Sequence, residues 1–324
     1  MTPVYSLVLP IFNEEAVIPL LLKRLDDLMD RLDGPAEAIF VDDGSRDSGP
    51  IVLEARARTD PRYKFVKLSR NFGHQIAITT GMERARGEAV IVMDADLQDP
   101  PEVVLEMIAK WKEGFEIVYA QRLTREGESA FKRVTANLFY RLIARLSEVD
   151  IPRNVGDFRL VDRKALDAFL AMPERERFVR GMFAWIGFRQ AVVSFHRPPR
   201  AAGETKYSLA KMFRLAATGV VSFSDAPMRV ALWAGLAISA LAMLYGLWVI
   251  AMWAAGAHLE RGWSSIIVLV AFLGGANMLM TGVLGVYVGR IYAEVKRRPL
   301  YLVDREVGFA LERPEAAKPR RLSA

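Results

Sequence analysis

Cysteine is absent from this chain of 324 residues, which excludes disulfides and thiolate metal sites and fits a reducing compartment. No basic segment opens the sequence, since Met1-Thr2-Pro3-Val4-Tyr5 has no n-region of a secretory signal. The amino-terminal part is therefore expected to stay on the side where it is made. No internal repeat is visible. A basic stripe with interleaved aromatics is also missing, so nucleic acid is not an expected partner. Charge is lacking from two long stretches, the 24 residues Val230–Trp253 and the 23 residues Ile266–Val288. At about 1.5 Å per residue each is long enough for the roughly 30 Å hydrocarbon core of a bilayer. A buried core helix is the competing reading of one such run, and two in tandem favour a membrane protein.

The rest of the composition agrees with that division. Mean hydropathy is +0.14 although 25% of residues are charged, as expected for an ordinary charged domain joined to an apolar one. Lys and Arg outnumber Asp and Glu by 44 to 38, a net charge of +6 that suits anionic lipid and phosphate-bearing substrates. Arg229 precedes the first run, and Arg290, Lys296, Arg297 and Arg298 follow the second, while the connection holds only His258, Glu260 and Arg261. By the positive-inside rule both termini are cytoplasmic and 254–265 is a short external loop. This is the expected topology of a multi-pass protein of the inner (plasma) membrane.

One stretch organises the remainder: Glu88-Ala89-Val90-Ile91-Val92-Met93-Asp94-Ala95-Asp96-Leu97-Gln98-Asp99-Pro100-Pro101-Glu102. Its apolar run reads as a buried parallel strand that stops at two carboxylates. In extended chain, positions i and i+2 share a face, so Asp94 and Asp96 can address one point. Open α/β sheets place their ligands at that end of a strand. Oxygen donors alone suit a hard cation such as Mg²⁺ or Mn²⁺ bridging to phosphates. A carboxylate turn capping the next helix is the plainer alternative.

Other strands are expected at Tyr5–Pro10, Ala38–Val41, Lys64–Leu68 and Ile117–Ala120, and helices over about 49–57, 73–85 and up to Lys112. Asn13 is expected to cap a first helix carrying Ile18, Leu21, Leu22, Leu25 and Leu28 on one face. Polar clusters close successive strands at Asn13/Glu14, Asp42/Asp43, Arg70/Asn71 and Asp94/Asp96. The alternation gives a mostly parallel, doubly covered sheet. A long helix over 129–146, then a loop feeding a short strand across Asn154–Asp162, short helices near 164–172 and 176–185, and a strand at Ala191–Phe195 complete this part. Segment 208–223 has the pattern of an interfacial helix, and Leu300–Val303 reads as a short strand suited to pairing between subunits. Residues past Arg313 read as a disordered tail.

These residues resemble the family 2 glycosyltransferases of GT-A fold, in particular the polyprenyl-phosphate glycosyltransferases, over about residues 4–300. The matching stretches are Leu9 to Glu15, Val41 to Asp47, Leu68 to His74, Asp94 to Glu102, Gly156 to Leu160 and Gly203 to Ser208. Arg46-Asp47-Ser48 stands where Thr-Asp is more usual. The resemblance implies a cytoplasmic GT-A (Rossmann-like) domain at 1–206, interfacial helices at 207–228, two transmembrane helices within 229–289, and a carboxy-terminal segment and tail at 290–324. It also implies a homo-oligomer, a tetramer.

The implied activity is transfer of a sugar, with glucose from UDP-glucose the first choice, onto undecaprenyl phosphate. Donors carrying GDP-mannose or a UDP-linked modified arabinose stay open. So do a processive polysaccharide synthase, although no Gln-x-x-Arg-Trp motif is present, and a non-catalytic nucleotide-binding membrane partner. Pro10, Phe12, Glu14, Asp42, Asp43, Asp94, Ala95 and Gln98 match nucleotide-sugar positions, and Arg200 and Lys206 match cations near the diphosphate. Asp94, Asp96 and Gln98 match the metal site for Mg²⁺ or Mn²⁺, Arg122 and Arg133 match lipid-phosphate contacts, and Asp96 and Asp157 match catalytic positions. Asp157 matches the family's proposed base, though a role in orienting the acceptor or a sugar hydroxyl suits it better.

Overall fold

The structure, a computed structural model, describes residues 2–123, 155–175, 177–196, 226–255 and 262–309. In chain order the first part runs β1 (Tyr5–Ile11), α1 (Ile18–Met29), β2 (Ala36–Asp42), α2 (Gly49–Thr59), β3 (Tyr63–Leu68), α3 (His74–Arg84), β4 (Ala89–Val92), α4 (Val103–Lys112) and β5 (Ile117–Arg122). It continues with β6 (Val155–Asp162), α5 (Arg163–Ala171), α6 (Val179–Trp185) and β7 (Gln190–Phe195). Two long helices follow, α7 (Ala226–Ala254) and α8 (Trp263–Val295), and then β8 (Val303–Val307).

β1 and β4 are buried at every position, as strands covered on both faces must be. Alternate residues then feed two different cores. Leu7, Leu9, Ala38 and Phe40 pack with Leu21 and Leu25 of α1, Leu53 of α2 and Met107 of α4. Val8, Ile39 and Val41 pack with Ile78 and Met82 of α3, Leu166 and Phe169 of α5 and Phe183 of α6. Each fully buried Leu or Ile contributes about 1.5–3 kcal/mol over an exposed one, so the period-2 pattern fixes which helix covers which face.

The strand order is β7-β5-β6-β4-β1-β2-β3-β8. β4, β1, β2 and β3 are mutually parallel, and β7 runs parallel to β5. β6 lies antiparallel between β4 and β5, and β8 antiparallel beside β3. The result is a mostly parallel mixed sheet of the GT-A kind. The carboxyl ends of β1 to β4 and the amino end of β6 meet along one edge.

Three expectations are corrected. Asn13 is not a helix cap: its φ is +55°, and α1 starts only at Ile18 with a proline in its first turn. Short Asn tolerates that backbone, and its side chain is used elsewhere. The segment with Asp157 is a full strand rather than a loop leading to one, because β4 and β5 pair with it on both sides while residues of α3 and α6 meet its carboxylate. The carboxy-terminal strand begins at Val303 and joins this chain's own sheet, where Ser69 N also donates to Leu302 O at 2.9 Å.

α7 and α8 enclose both expected apolar runs and extend past them, α8 to Val295. Leu232, Trp233, Leu241, Met278 and Leu279 stand exposed along them. The carboxyl end of α8 is tied back to the sheet domain. Arg175 N donates to Glu294 Oε1 at 2.8 Å, Arg84 Nη1 to the Tyr301 hydroxyl at 2.6 Å, and that hydroxyl to Glu83.

Candidate active site

At the ends of β1, β2 and β3 lies a cleft of about 490 Å³ walled by Phe12, Asn13, Gly44, Ser45, Arg46 and residues 67–71. Its loops are locked by short polar groups. Asn13 Oδ1 accepts from Arg46 N at 2.9 Å, while Asn13 N donates to Ser45 Oγ at 2.9 Å. Gly44 turns the chain at φ +77°, and a Cβ there would stand 2.7 Å from Asn71 N. Asp43 holds the loop before α3, accepting from Phe72 N at 2.7 Å and Gly73 N at 3.0 Å. Asp42 Oδ1 accepts from Ser45 N at 2.9 Å, and its Oδ2 is buried with no hydrogen-bond partner. Burial pushes both carboxyls up, against the N–H groups that favour their charge. Phe12 is exposed at the mouth, whereas Pro10 is buried within β1 opposite Val41. Glu14 sits on the turn before α1, where its carbonyl accepts from Val17 N.

Beyond β4 the chain makes a tight turn with Leu97 at φ +59°. Gln98 N donates to Asp96 Oδ1 at 3.1 Å, and Asp94 N donates to Asp99 Oδ2 at 3.1 Å. Ala95 between the two carboxylates is buried. Because Val92 faces Arg159 in the antiparallel β4–β6 ladder, the same register carried two residues on sets Asp94 opposite Asp157. His74, first residue of α3, lies between them, with Nε2 3.5 Å from Asp94 Oδ1 and 3.3 Å from Asp157 Oδ2. Arg180 closes on Asp157 from α6 in a two-pronged pair, Nε to Oδ1 at 2.9 Å and Nη2 to Oδ2 at 3.0 Å. Arg159, 0% exposed, lies against the rings of Tyr119 and Phe183 and reaches Asp157 Oδ1 at 3.3 Å.

Arg122 ends β5 with Nη2 3.8 Å from Asp99 Oδ1. It lies so close over Gly156 that a Cβ there would come within 2.8 Å of that nitrogen. Four carboxylates (Asp94, Asp96, Asp99, Asp157) and four potential cations (Arg122, Arg159, Arg180, His74) thus share the edge. Burial, joined by the Asp94 charge, pushes Asp99 up to about 7 while Arg122 opposes. Burial also raises Asp94, against His74 and Arg122, although 28% of its side chain remains open to water. Burial resists ionisation of Asp157 too, yet Arg180 and His74 hold it well below the usual carboxylate range. His74 shows the converse. Burial works against its charge, but the Asp157 hydrogen bond and the Asp94 charge carry it up to about 9, with 45% of the imidazole facing solvent.

The donor set fits a divalent ion. Asp94 and Asp96 offer oxygen only, and Mg²⁺ or Mn²⁺ commonly takes one or two protein carboxylates and completes its shell with phosphate and water. Among the described residues no cluster of three His, Asp or Glu side chains could hold a metal alone. A substrate diphosphate would have to supply the remainder. Gln98 lies on the same turn.

The edge brings together Asp42, Asp94, Asp96, Asp157 and Arg122 from the sequence-based set. Asp43 is turned instead toward the loop before α3. Arg133, Arg200 and Lys206, the interfacial segment 208–223 and the tail past Arg313 lie outside the described residues. Sequence reasoning gave no role to His74, Asp99, Arg159 or Arg180, although His74, Asp99 and Arg159 lie within the matching stretches. Arg180 left one faint signal, a cation in the first turn of a helix, where the macrodipole disfavours it unless an anion is near.

The family model described as Glycosyl transferase family 2 matches residues 6–170. The uncharacterized glycosyltransferase YkcC of Bacillus subtilis is 47% identical, covering 95% of this chain and 96% of its own. The SfII prophage-derived bactoprenol glucosyl transferase of Shigella flexneri is 40% identical over 93% of this chain and 97% of its own. Among solved structures, glucosyl-3-phosphoglycerate synthase from Mycobacterium tuberculosis with Mn²⁺, UDP-glucose and phosphoglyceric acid overlays with a TM-score of 0.45 at 20% identity. That overlay covers 68% of this chain and 79% of the other.

Proposed function

Since this chain belongs to glycosyl transferase family 2, we propose that it moves glucose from UDP-glucose to undecaprenyl phosphate at the cytoplasmic face of the plasma membrane. One observation carries the acceptor: similarity to a bactoprenol glucosyl transferase covers 93% of the chain, far beyond the sheet domain. The bare apolar faces of α7 and α8 support the membrane anchor, because an exposed apolar surface of that extent marks a lipid or protein contact. Anchoring would keep a lipid-borne phosphate within reach of a soluble donor.

In the transfer, an acceptor phosphate oxygen forms a bond to the anomeric carbon. The bond from that carbon to the diphosphate breaks on the opposite side, and its electron pair leaves with UDP, so the anomeric centre inverts. A phosphate monoester has a second pKa of about 6, so the acceptor is largely ionised at neutral pH and no strong base is needed. The buried, unpartnered Asp42 Oδ2 suits an N–H donor of the base. Asp94 and Asp96 would hold Mg²⁺ or Mn²⁺, which supplies positive charge against the diphosphate as it departs. Arg122, held over Gly156 beside this edge, suits the acceptor phosphate. Arg133, Arg200 and Lys206 are further cations proposed for the two phosphate groups. Self-association, as a tetramer, belongs to the same proposal.

The test is transfer from labelled UDP-glucose to undecaprenyl phosphate, run beside GDP-mannose and other UDP-sugars, with and without EDTA. Asp96→Asn is expected to lose about 100-fold or more in kcat while still inserting in membranes. Full activity of that variant would remove the metal role, and a preferred GDP-sugar would replace the donor. Multiple sugars added to one acceptor would favour a processive synthase.

A further inference from the structure

Both oxygens of Asp157 are already committed. Oδ1 accepts from Arg180 Nε at 2.9 Å and Arg159 Nη2 at 3.3 Å, and Oδ2 from Arg180 Nη2 at 3.0 Å and Gln75 Nε2 at 3.2 Å. His74 Nε2 stands 3.3 Å from Oδ2. A carboxylate has about four lone-pair positions, and these five donors crowd them. A base must turn a lone pair toward the proton it takes, whereas Asp157 turns its own toward the groups that enclose it.

Exposure runs the same way. The His74 side chain is 45% exposed and Arg180 31%, against 6% for Asp157. An anion arriving from solvent meets the guanidinium and the imidazole before the carboxylate. Both outer groups open helices, His74 at the start of α3 and Arg180 in the first turn of α6, where a cation is disfavoured by the backbone dipoles. The buried Asp157 between them offsets that cost and fixes where each can point.

We propose that Arg180 is a phosphate-facing cation of the transfer site and that Asp157 is its positioning residue rather than a base. This inference rests on the sugar transfer proposed above. Planar guanidinium suits phosphate oxygens, and the phosphate is supplied either by the lipid acceptor or by the donor diphosphate.

Steady-state kinetics of the full-length, membrane-inserted protein with UDP-glucose and undecaprenyl phosphate separates the cases. Arg180→Gln is expected to raise the KM of one phosphate substrate by about 10- to 100-fold, the range for a lost charge-assisted hydrogen bond. A rise for undecaprenyl phosphate alone assigns the acceptor, and a rise for UDP-glucose alone assigns the donor. Asp157→Asn should reproduce the same KM pattern, and the double variant should lose no more than the worse single one. Where thermal unfolding shows that Arg180→Gln does not fold, Arg180→Lys decides. Lysine cannot span the two-pronged pair, so a KM rise of about threefold or more supports the proposal and an unchanged KM overturns it. A collapse of kcat in Asp157→Asn, with Arg180→Gln within about twofold of wild type in both KM values, restores the base and also overturns it. Wild-type protein that transfers no sugar defeats the proposed reaction instead, which keeps the two failures distinct.

Discussion

The cleft side of the sheet edge and the Asp157 side are built on opposite plans. Around β1 to β3, carboxylates and an asparagine grip backbone N–H groups: Asp43 those of Phe72 and Gly73, Asp42 that of Ser45, Asn13 that of Arg46. Around β6, side chains grip one another, with Arg180, Arg159, Gln75 and His74 gathered on one aspartate. The first plan fixes loop shape, and the second fixes the position of charge. Each therefore fails in a different way.

The largest contrast comes from deleting the central anion of each side. Asp157→Ala leaves the fully buried Arg159 guanidinium without its charge partner, a loss expected to cost about 3–5 kcal/mol. Denaturant unfolding of detergent-solubilised protein reads it directly. Asp43→Ala instead leaves two backbone N–H groups unsatisfied, worth about 1–3 kcal/mol. It should also weaken UDP binding measured by calorimetry, because the wall of the cleft moves. Equal destabilisation by the two variants would erase the distinction between the plans.

The smallest effect separates them by pH. His74 is raised to about 9 in the folded chain against about 6.5 unfolded. Its contribution is therefore fully present below about pH 6.5 and lost as pH rises through about 9. Hydrogen exchange in EDTA, corrected for intrinsic rates, should show the start of α3 losing protection across that window. Loop 43–48 carries no histidine and should not change. Parallel loss in both regions would refute the assignment.

Much of the first plan, and of the turn after β4, could be read in the sequence, because motif and backbone coincide. The apolar run before Asp94, the i, i+2 carboxylates and the Asp42-Asp43-Gly44-Ser45 turn are all local signals. β6 is less legible, because Gly156, Asp157 and Arg159 make it look like a loop. Its Asp157 carboxylate is met by residues from α3 and α6, which local pattern cannot supply. Arg180 had no motif to mark it. β8, Val-Asp-Arg-Glu-Val, shows its charged middle to solvent and becomes a strand only by meeting the edge of β3. Asn13 misled because the same residue type serves helix caps and left-handed turns.

The seam between β3 and β8 sets an order of events during synthesis. Ser69, in the wall of the cleft, is bonded to Leu302, and β3 finds its outer neighbour only in residues 303–307. A ribosome has already released both apolar helices when that neighbour emerges. The cleft wall of a nascent chain is thus finished last, after both long apolar helices exist, and a chain that stops before residue 303 leaves β3 without its outer neighbour.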